Sequence, residues 1–131
     1  MRILIVEDDK VSREMLKKML QQYGDCEVAD NGESAFGRFC LAYQDGNPFD
    51  LICVDIVMPE VDGHEFLAAV RAFEEEHGRV GSQGVKAIVT TGLEDPSRFV
   101  TSDASSLSAY LSKPINPGKL KGELIRLGFI N

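Results

Sequence analysis

The sequence lacks long apolar runs and has few cysteines, so it shows none of the usual patterns of a membrane protein, a secreted protein or a zinc-binding domain. No apolar run approaches the roughly 20 residues of a membrane-spanning helix, and residues 3–6 are too short for the apolar core of a signal peptide. The three cysteines, Cys26, Cys40 and Cys53, are odd in number and widely spaced, and they match no disulfide, zinc or redox pattern. We therefore expect a reduced, cytoplasmic protein that does not enter a membrane.

Basic residues are also scarce. The chain has 14 Lys and Arg against 21 Asp and Glu, which gives a formal net charge of 14 − 21 = −7. Because non-specific binding to nucleic acids and to anionic membranes needs basic patches, we expect neither as a partner. No repeat, low-complexity tract or linker divides the 131 residues, and a hydrophobic content of 44% is ordinary for a folded protein. A single domain over residues 1–131 is therefore expected.

Short apolar runs alternate along the chain with stretches of helical periodicity. The predicted strands are residues 3–6, 27–29, 51–54, 87–90 and 110–112. The predicted helices are centred on residues 11–20, 35–43, 66–73, 95–108 and 117–127, and the fourth has a sequence rich in Ser and Thr that is poor for a helix. Five strands alternating with five helices predict an α/β fold, a doubly wound parallel sheet covered on both faces.

Apolar residues at helical spacing mark the first and the last of these helices. In the first predicted helix Val11 and Met15 recur with three further apolar residues at helical spacing, and Ile125 belongs to a similar stripe in the last one. The acidic run of residues 74–76 is instead interpreted as a solvated helix end.

The polar residues that follow the strands point to a site. In open parallel sheets ligands bind beyond the carboxyl ends of the strands, where the strand order reverses. The residues at these strand ends are Glu7, Asp8, Asp9, Asp55, Thr91 and Lys113. With a strand order of 2-1-3-4-5 the acids share one crevice, where carboxylate oxygens suit Mg²⁺ and a lysine with a hydroxyl suits a phosphoryl group. Asp8 or Asp9 could merely favour a helix start, but the joint occurrence at one end of the sheet favours a site.

Four motifs carry a specific resemblance. They are residues 6–9 (VEDD), 55–63 (DIVMPEVDG), 91–92 (TG) and 110–114 (YLSKP). In this order and spacing they resemble the receiver domain of two-component response regulators, from Arg2 to about Gly128. The chain is similar to the stand-alone members, which implies a flavodoxin-like fold and a single receiver domain without an output domain.

The resemblance implies a role for each matching residue. Asp55 would be the phosphoacceptor, and Mg²⁺ would be bound by Glu7, Asp8, Asp55 and the backbone carbonyl of Val57. Asp9 has no fixed role in the family, which leaves capping or solvation.

The remaining matching residues would act on the phosphoryl group. Lys113 and Thr91 would contact it, Thr91 and Tyr110 would form the switch, and the peptide bond before Pro114 would be cis.

The resemblance also implies the partners. A histidine kinase or a histidine phosphotransfer protein would donate the phosphoryl group, and a downstream protein target would bind the surface around the predicted helix 95–108, strand 110–112 and the last helix. The chain would accept phosphate and lose it again without acting as a turnover enzyme on a separate substrate.

Three other functions compete with this interpretation. A phosphatase with an aspartate nucleophile needs an acid at position 57, where Val stands, and a flavodoxin-like small-molecule binder needs a phosphate loop where the acids stand. A receiver-like scaffold that acts without phosphorylation stays open as the alternative.

Overall fold

The computed structural model describes residues 1–55, 63–79, 84–92 and 109–131. The strands are β1 (Arg2–Val6), β2 (Asp25–Ala29), β3 (Leu51–Asp55), β4 (Lys86–Thr91) and β5 (Ala109–Ser112). The helices in these ranges are α1 (Lys10–Leu20), α2 (Gly32–Gln44), α3 (Gly63–Glu76) and α4 (Pro117–Arg126). The helix predicted over residues 95–108 lies outside the described residues, so four of the five predicted helices are seen.

The strands form one parallel sheet in the order β2-β1-β3-β4-β5, as predicted. In the register of this sheet Val6 lies beside both Ala29 and Val54, and Asp55 lies beside Thr90. Because β1 and β3 are neighbours although β2 comes between them in the chain, the strand order reverses at their carboxyl ends. This is the edge at which the predicted site residues emerge.

Alternate residues of the strands build two separate cores, which confirms the doubly wound architecture. One face of the sheet packs against α2 and α3, and its buried strand residues are Leu4, Val6, Ala29, Ile52, Val54, Ala87 and Val89. The other face packs against α1 and α4, and its buried strand residues are Ile3, Ile5, Leu51, Cys53, Ile88, Ala109 and Leu111. The central strands therefore consist of continuous apolar runs because both of their faces are buried.

Three of the described helices, α1, α2 and α4, begin at a capping side chain. Asp9 Oδ2 accepts a hydrogen bond from Ser12 N at 2.8 Å at the start of α1, and Asn31 and Asn116 cap α2 and α4 in the same way. Capping is thus the structural role of Asp9, which the sequence had left open between capping and solvation.

Three of the apolar residues that mark the helices lie at the surface. Val11, Met15 and Ile125 are 65%, 47% and 45% exposed, respectively. In α1 the sheet is covered by Leu16 and Leu20, and at 3.6 residues per turn Val11 lies on roughly the opposite side of the helix from Leu20. Leu16 and Leu20, four residues apart, are sufficient to cover this part of the sheet. The apolar residues outside that pair, Val11 and Met15, therefore face solvent.

The interpretation of residues 74–76 as a solvated helix end is wrong for Glu74. Glu75 and Glu76 are exposed, whereas Glu74 is 1% exposed. Its Oε1 accepts a hydrogen bond from Arg71 Nη1 at 2.6 Å, and its Oε2 accepts one from Val85 N at 2.7 Å. Arg71 Nη1 also donates to Val85 O at 2.8 Å. The Arg71–Glu74 ion pair therefore connects α3 to the residue that precedes β4.

The three cysteine thiols lie in or against the core. Cys53 is fully buried, whereas Cys26 and Cys40 are half-buried. Burial raises the pKa of the Cys53 thiol to about 12 and raises the pKa values of the other two thiols as well. Because a thiol reacts as its thiolate, raised pKa values fit a packing role for these residues. As for membranes, none of the described helices has the length and apolar character to cross one.

Candidate functional site

The ends of four neighbouring strands deliver the predicted site residues to one crevice. Glu7 continues the ladder of β1, since its backbone N donates to Ala29 O at 3.0 Å. Lys113 continues the ladder of β5, since its backbone N donates to Thr91 O at 2.7 Å. Asp55 is the last residue of β3. The backbones of these residues are thus held by the sheet itself.

Three carboxylates meet in this crevice. One carboxylate oxygen from each of Glu7, Asp8 and Asp55 lies within 4.8 Å of the others. Glu7 is fully buried, Asp55 is 5% exposed, and Asp8 faces solvent. The structure therefore brings together all three side chains that the sequence assigned to Mg²⁺.

A single ammonium group lies between two of these acids. Lys113 Nζ donates to Glu7 Oε1 at 2.8 Å and to Asp55 Oδ2 at 3.1 Å. Charge-assisted hydrogen bonds of this kind are stronger than neutral ones, and here they fix the position of the lysine side chain. Lys113 thus partly offsets the negative charge of the crevice.

The pKa values of the buried pair record this arrangement. Burial raises the pKa of Glu7 to about 7, the hydrogen bond from Lys113 opposes the rise, and the charge of Asp55 adds to it. For Lys113 burial acts to lower the pKa, but the hydrogen bond to Glu7 and the charge of Asp55 outweigh it, so the pKa is raised overall. The crevice favours an additional positive charge.

The donor set fits a magnesium ion. Glu7 Oε2 is buried and has no hydrogen-bond partner among the described residues. An unsatisfied buried carboxylate oxygen is costly, and a cation is the kind of group that would satisfy it. Three carboxylates offer only oxygen ligands. Oxygen ligands suit a hard cation such as Mg²⁺ better than they suit softer metals. The backbone carbonyl of Val57, which the resemblance adds to this set, lies outside the described residues.

Thr91 and Tyr110 lie beside the crevice on one face of the sheet. Tyr110 pairs with Val89, and Thr91, which is fully buried, is two residues further along the same strand. The Tyr110 ring is half-buried against the core that α2 and α3 cover, and burial raises the pKa of its hydroxyl. That hydroxyl is buried without a hydrogen-bond partner in the part of the chain that the structure describes.

One contact at the site has no counterpart in the sequence motifs. Arg13 Nη1 donates to the backbone O of Glu7 at 3.1 Å and to that of Asp8 at 3.4 Å. An arginine in the first turn of a helix is usually a solvated residue, so no pattern distinguishes this one. The peptide bond between Lys113 and Pro114 is cis, as the resemblance implied.

The chain is similar in sequence to receiver proteins and to parts of histidine kinases. Residues 3–125 match the family described as the response regulator receiver domain. The receiver protein CpdR of Brucella abortus is 35% identical over 127 residues, which are 96% of this chain and 95% of CpdR. The osmosensing histidine protein kinase SLN1 of Saccharomyces cerevisiae is 31% identical over 92% of this chain, but the match spans only 9% of that kinase.

Two solved structures have the same fold. The receiver domain of the histidine kinase CKI1 from Arabidopsis thaliana, complexed with Mg²⁺ and BeF₃⁻, has a TM-score of 0.80 and 26% identity over 96% of this chain and 88% of that one. A chain in the co-crystal structure of the Saccharomyces cerevisiae histidine phosphotransfer protein Ypd1 and the receiver domain of Ssk1 has a TM-score of 0.79. Its sequence identity is 25%, over 98% of this chain and 88% of that one.

Proposed function

Because the chain belongs to the response regulator receiver domain family, we propose that residues 1–131 act as a single receiver domain and that Asp55 accepts a phosphoryl group. One observation carries the proposal: the Lys113 ammonium joins Asp55 to Glu7, whose second carboxylate oxygen is buried without a described partner. A crevice that holds a carboxylate nucleophile, a fixed cation and an unsatisfied oxygen ligand is suited to phosphoryl transfer.

The transfer would take place at the Asp55 carboxylate. An oxygen of Asp55 attacks the phosphorus of a phosphohistidine that is protonated on its other ring nitrogen. The phosphorus–oxygen bond forms as the phosphorus–nitrogen bond breaks, so neutral imidazole leaves and an aspartyl phosphate remains. Lys113 offers its ammonium to the phosphoryl oxygens, which develop negative charge during transfer.

Magnesium would be held by Glu7, Asp8 and Asp55, with the Val57 carbonyl as a further proposed ligand. When bound there, it would screen the negative charge of the incoming phosphoryl group. Burial of Glu7 and Asp55 keeps water away from these two carboxylates, which strengthens their electrostatic contacts.

The switch would begin at Thr91 and Tyr110. The phosphoryl group adds negative charge and acceptor oxygens at the end of β3, and the Thr91 hydroxyl on the neighbouring strand would bind one of them. Movement of Thr91 would change the space open to the half-buried Tyr110 ring on the same face of the sheet. Such a change shifts the population between two packings of the surface formed by β5, α4 and residues 95–108.

The proposed partners follow from the same chemistry. A phosphohistidine donor implies a histidine kinase or a histidine phosphotransfer protein, and two relatives are a histidine kinase and a receiver domain crystallised with Ypd1. A further protein would bind the switched surface. In this proposal the chain turns over no separate substrate, and the cytoplasmic location expected from the cysteines stays a prediction.

Intact-mass spectrometry tests the proposal. The chain is incubated with Mg²⁺ and a small acyl-phosphate donor, beside Asp55→Asn and the control Asp9→Asn, which removes a nearby acid that only caps α1. We expect one phosphoryl group on the parent and on the control, and none on Asp55→Asn. If the parent gains no mass and binds no Mg²⁺, the proposal is wrong and the scaffold alternative is favoured.

A further inference from the structure

The loop between β1 and α1 carries two of the three carboxylates of the site, and its backbone is held from several directions. Glu7 N is bound to Ala29 O, and Asp9 O accepts the first hydrogen bond of α1 from Arg13 N at 2.9 Å. The Arg13 side chain provides a third contact, because its Nη1 donates hydrogen bonds to the carbonyl oxygens of both Glu7 and Asp8. Arg13 thus contacts the loop with both its backbone and its side chain.

Helix geometry explains how one residue does both. Side chains of a helix lean toward its N-terminus, so a residue in the first turn of α1 covers the loop that precedes it. The half-buried Arg13 guanidinium is therefore placed over the backbone from which the Glu7 and Asp8 side chains project. Its contact with two successive carbonyl groups restricts the rotation of the peptide plane between them.

We infer that Arg13 is a positioning residue that orients Glu7 and Asp8 for the ion. This inference rests on the proposed magnesium site. Mg²⁺ demands near-octahedral geometry and tolerates poorly placed ligands less well than Ca²⁺ does. Groups that hold metal ligands in place typically change metal affinity by about 10- to 100-fold when they are removed. Arg13 binds the backbone of the ligand residues and not their carboxylates, so we expect the lower end, about tenfold.

A pure charge effect would have the opposite sign. The guanidinium is positive and lies close to the acids, so its charge alone disfavours a divalent cation at the site. If charge were its only influence, loss of Arg13 would tighten Mg²⁺ binding. If positioning dominates, the loss weakens Mg²⁺ binding although a repulsive charge has gone.

Calorimetric titration of the full chain with Mg²⁺ separates the two effects. The variants are Arg13→Met, which removes donor and charge, and Arg13→Lys, which retains one donor group. Lys18→Met is the matched control, because it removes an exposed cation from the same helix. Asp8→Asn identifies heat that does not come from the site, and urea unfolding of each variant reports any loss of global stability.

We expect Arg13→Met to raise the dissociation constant of Mg²⁺ about tenfold, Arg13→Lys to restore most of the affinity, and Lys18→Met to leave it essentially unchanged. Arg13→Gln, whose side chain is too short to reach the carbonyl groups, is a second truncation in case the Met variant misfolds, and it should weaken binding in the same direction. Restoration by Lys distinguishes positioning from a loss of stability.

Two results would overturn the inference alone: an Arg13→Met or Arg13→Gln chain that binds Mg²⁺ as tightly as the parent or more tightly, or an Arg13→Lys chain as weak as these truncations. A parent chain that binds no Mg²⁺ would overturn the inference together with the proposed function.

Discussion

Two buried glutamates at opposite ends of the sheet show how the same residue type can serve two purposes. Glu74 lies near the start of β4, and both of its carboxylate oxygens accept hydrogen bonds, from Arg71 and from Val85. Glu7 lies at the end of β1, and only its Oε1 has a described donor, Lys113. Both side chains are almost completely buried. The unsatisfied oxygen, and not burial or charge, distinguishes the candidate site from the structural pair.

The largest effect is expected from Glu74→Ala. This variant removes the charge partner of the partly buried Arg71 guanidinium, which keeps Val85 O as an acceptor, and it removes the acceptor of Val85 N. Removing one partner of a buried ion pair costs about 3–5 kcal/mol. Urea unfolding measures the loss, and Glu75→Ala, which truncates the exposed neighbour, should change stability by less than about 0.5 kcal/mol. Equal losses in the two variants would mean that the Glu74 pair contributes little to stability.

A pH-dependent effect of intermediate size is expected from Glu7→Gln. The folded chain holds the pKa of Glu7 at about 7 against an ordinary value of 4.5, so it favours the protonated carboxyl. The resulting contribution to stability is complete below pH 4.5 and is lost as the pH rises through about 7. The loss is at most about 3 kcal/mol, the value that such a shift allows.

The measurement is the difference in unfolding free energy between the parent and Glu7→Gln, without Mg²⁺ across this range. It cancels the contribution of carboxyl groups that do not interact with Glu7. We expect the parent to lose stability relative to Glu7→Gln as the pH rises. A constant difference would show that Glu7 titrates as an ordinary surface glutamate.

The smallest effect is expected from Gly84→Ala. A Cβ atom on Gly84 would lie 2.9 Å from both Arg71 Nη1 and Glu74 Oε1, which is too close for an unstrained contact. Because both atoms are held by the pair, we expect a loss of about 1–3 kcal/mol.

The matched control for Gly84→Ala is Gly37→Ala. Gly37 lies in α2, where a Cβ would meet no described atom within 4 Å, so this change should stabilise the chain by about 0.5–1 kcal/mol. A gain of stability in Gly84→Ala would mean that the ion pair tolerates displacement.

The sequence predicted the sheet and the meeting of polar residues beyond its strand ends because both leave strong patterns. Buried parallel strands require continuous apolar runs, and the chemistry of the site requires particular residue types directly after them, as at Glu7, Asp55 and Lys113. The strand order then brought these residues together as expected.

The misses concern contacts that composition does not encode. Three consecutive glutamates end α3, so residue type cannot tell them apart. Only the rotation of the helix against β4 buries Glu74 and leaves Glu75 exposed. Arg13 acts through the reach of a long side chain to backbone carbonyl groups, which accept from any donor. Such contacts depend on tertiary placement, so a pattern of residue types cannot reveal them.

The Lys113 ammonium, which bridges Glu7 and Asp55, affects how folding and metal binding are coupled. In many small metal-binding domains the unfolded chain gathers its ligands only when the ion arrives, so that folding and loading are one event. Here Lys113 is attached to the sheet through its backbone and acts as an internal counter-ion for Glu7 and Asp55. The acids can therefore be brought together by folding alone, and binding of the proposed Mg²⁺ would be a separate step that follows folding.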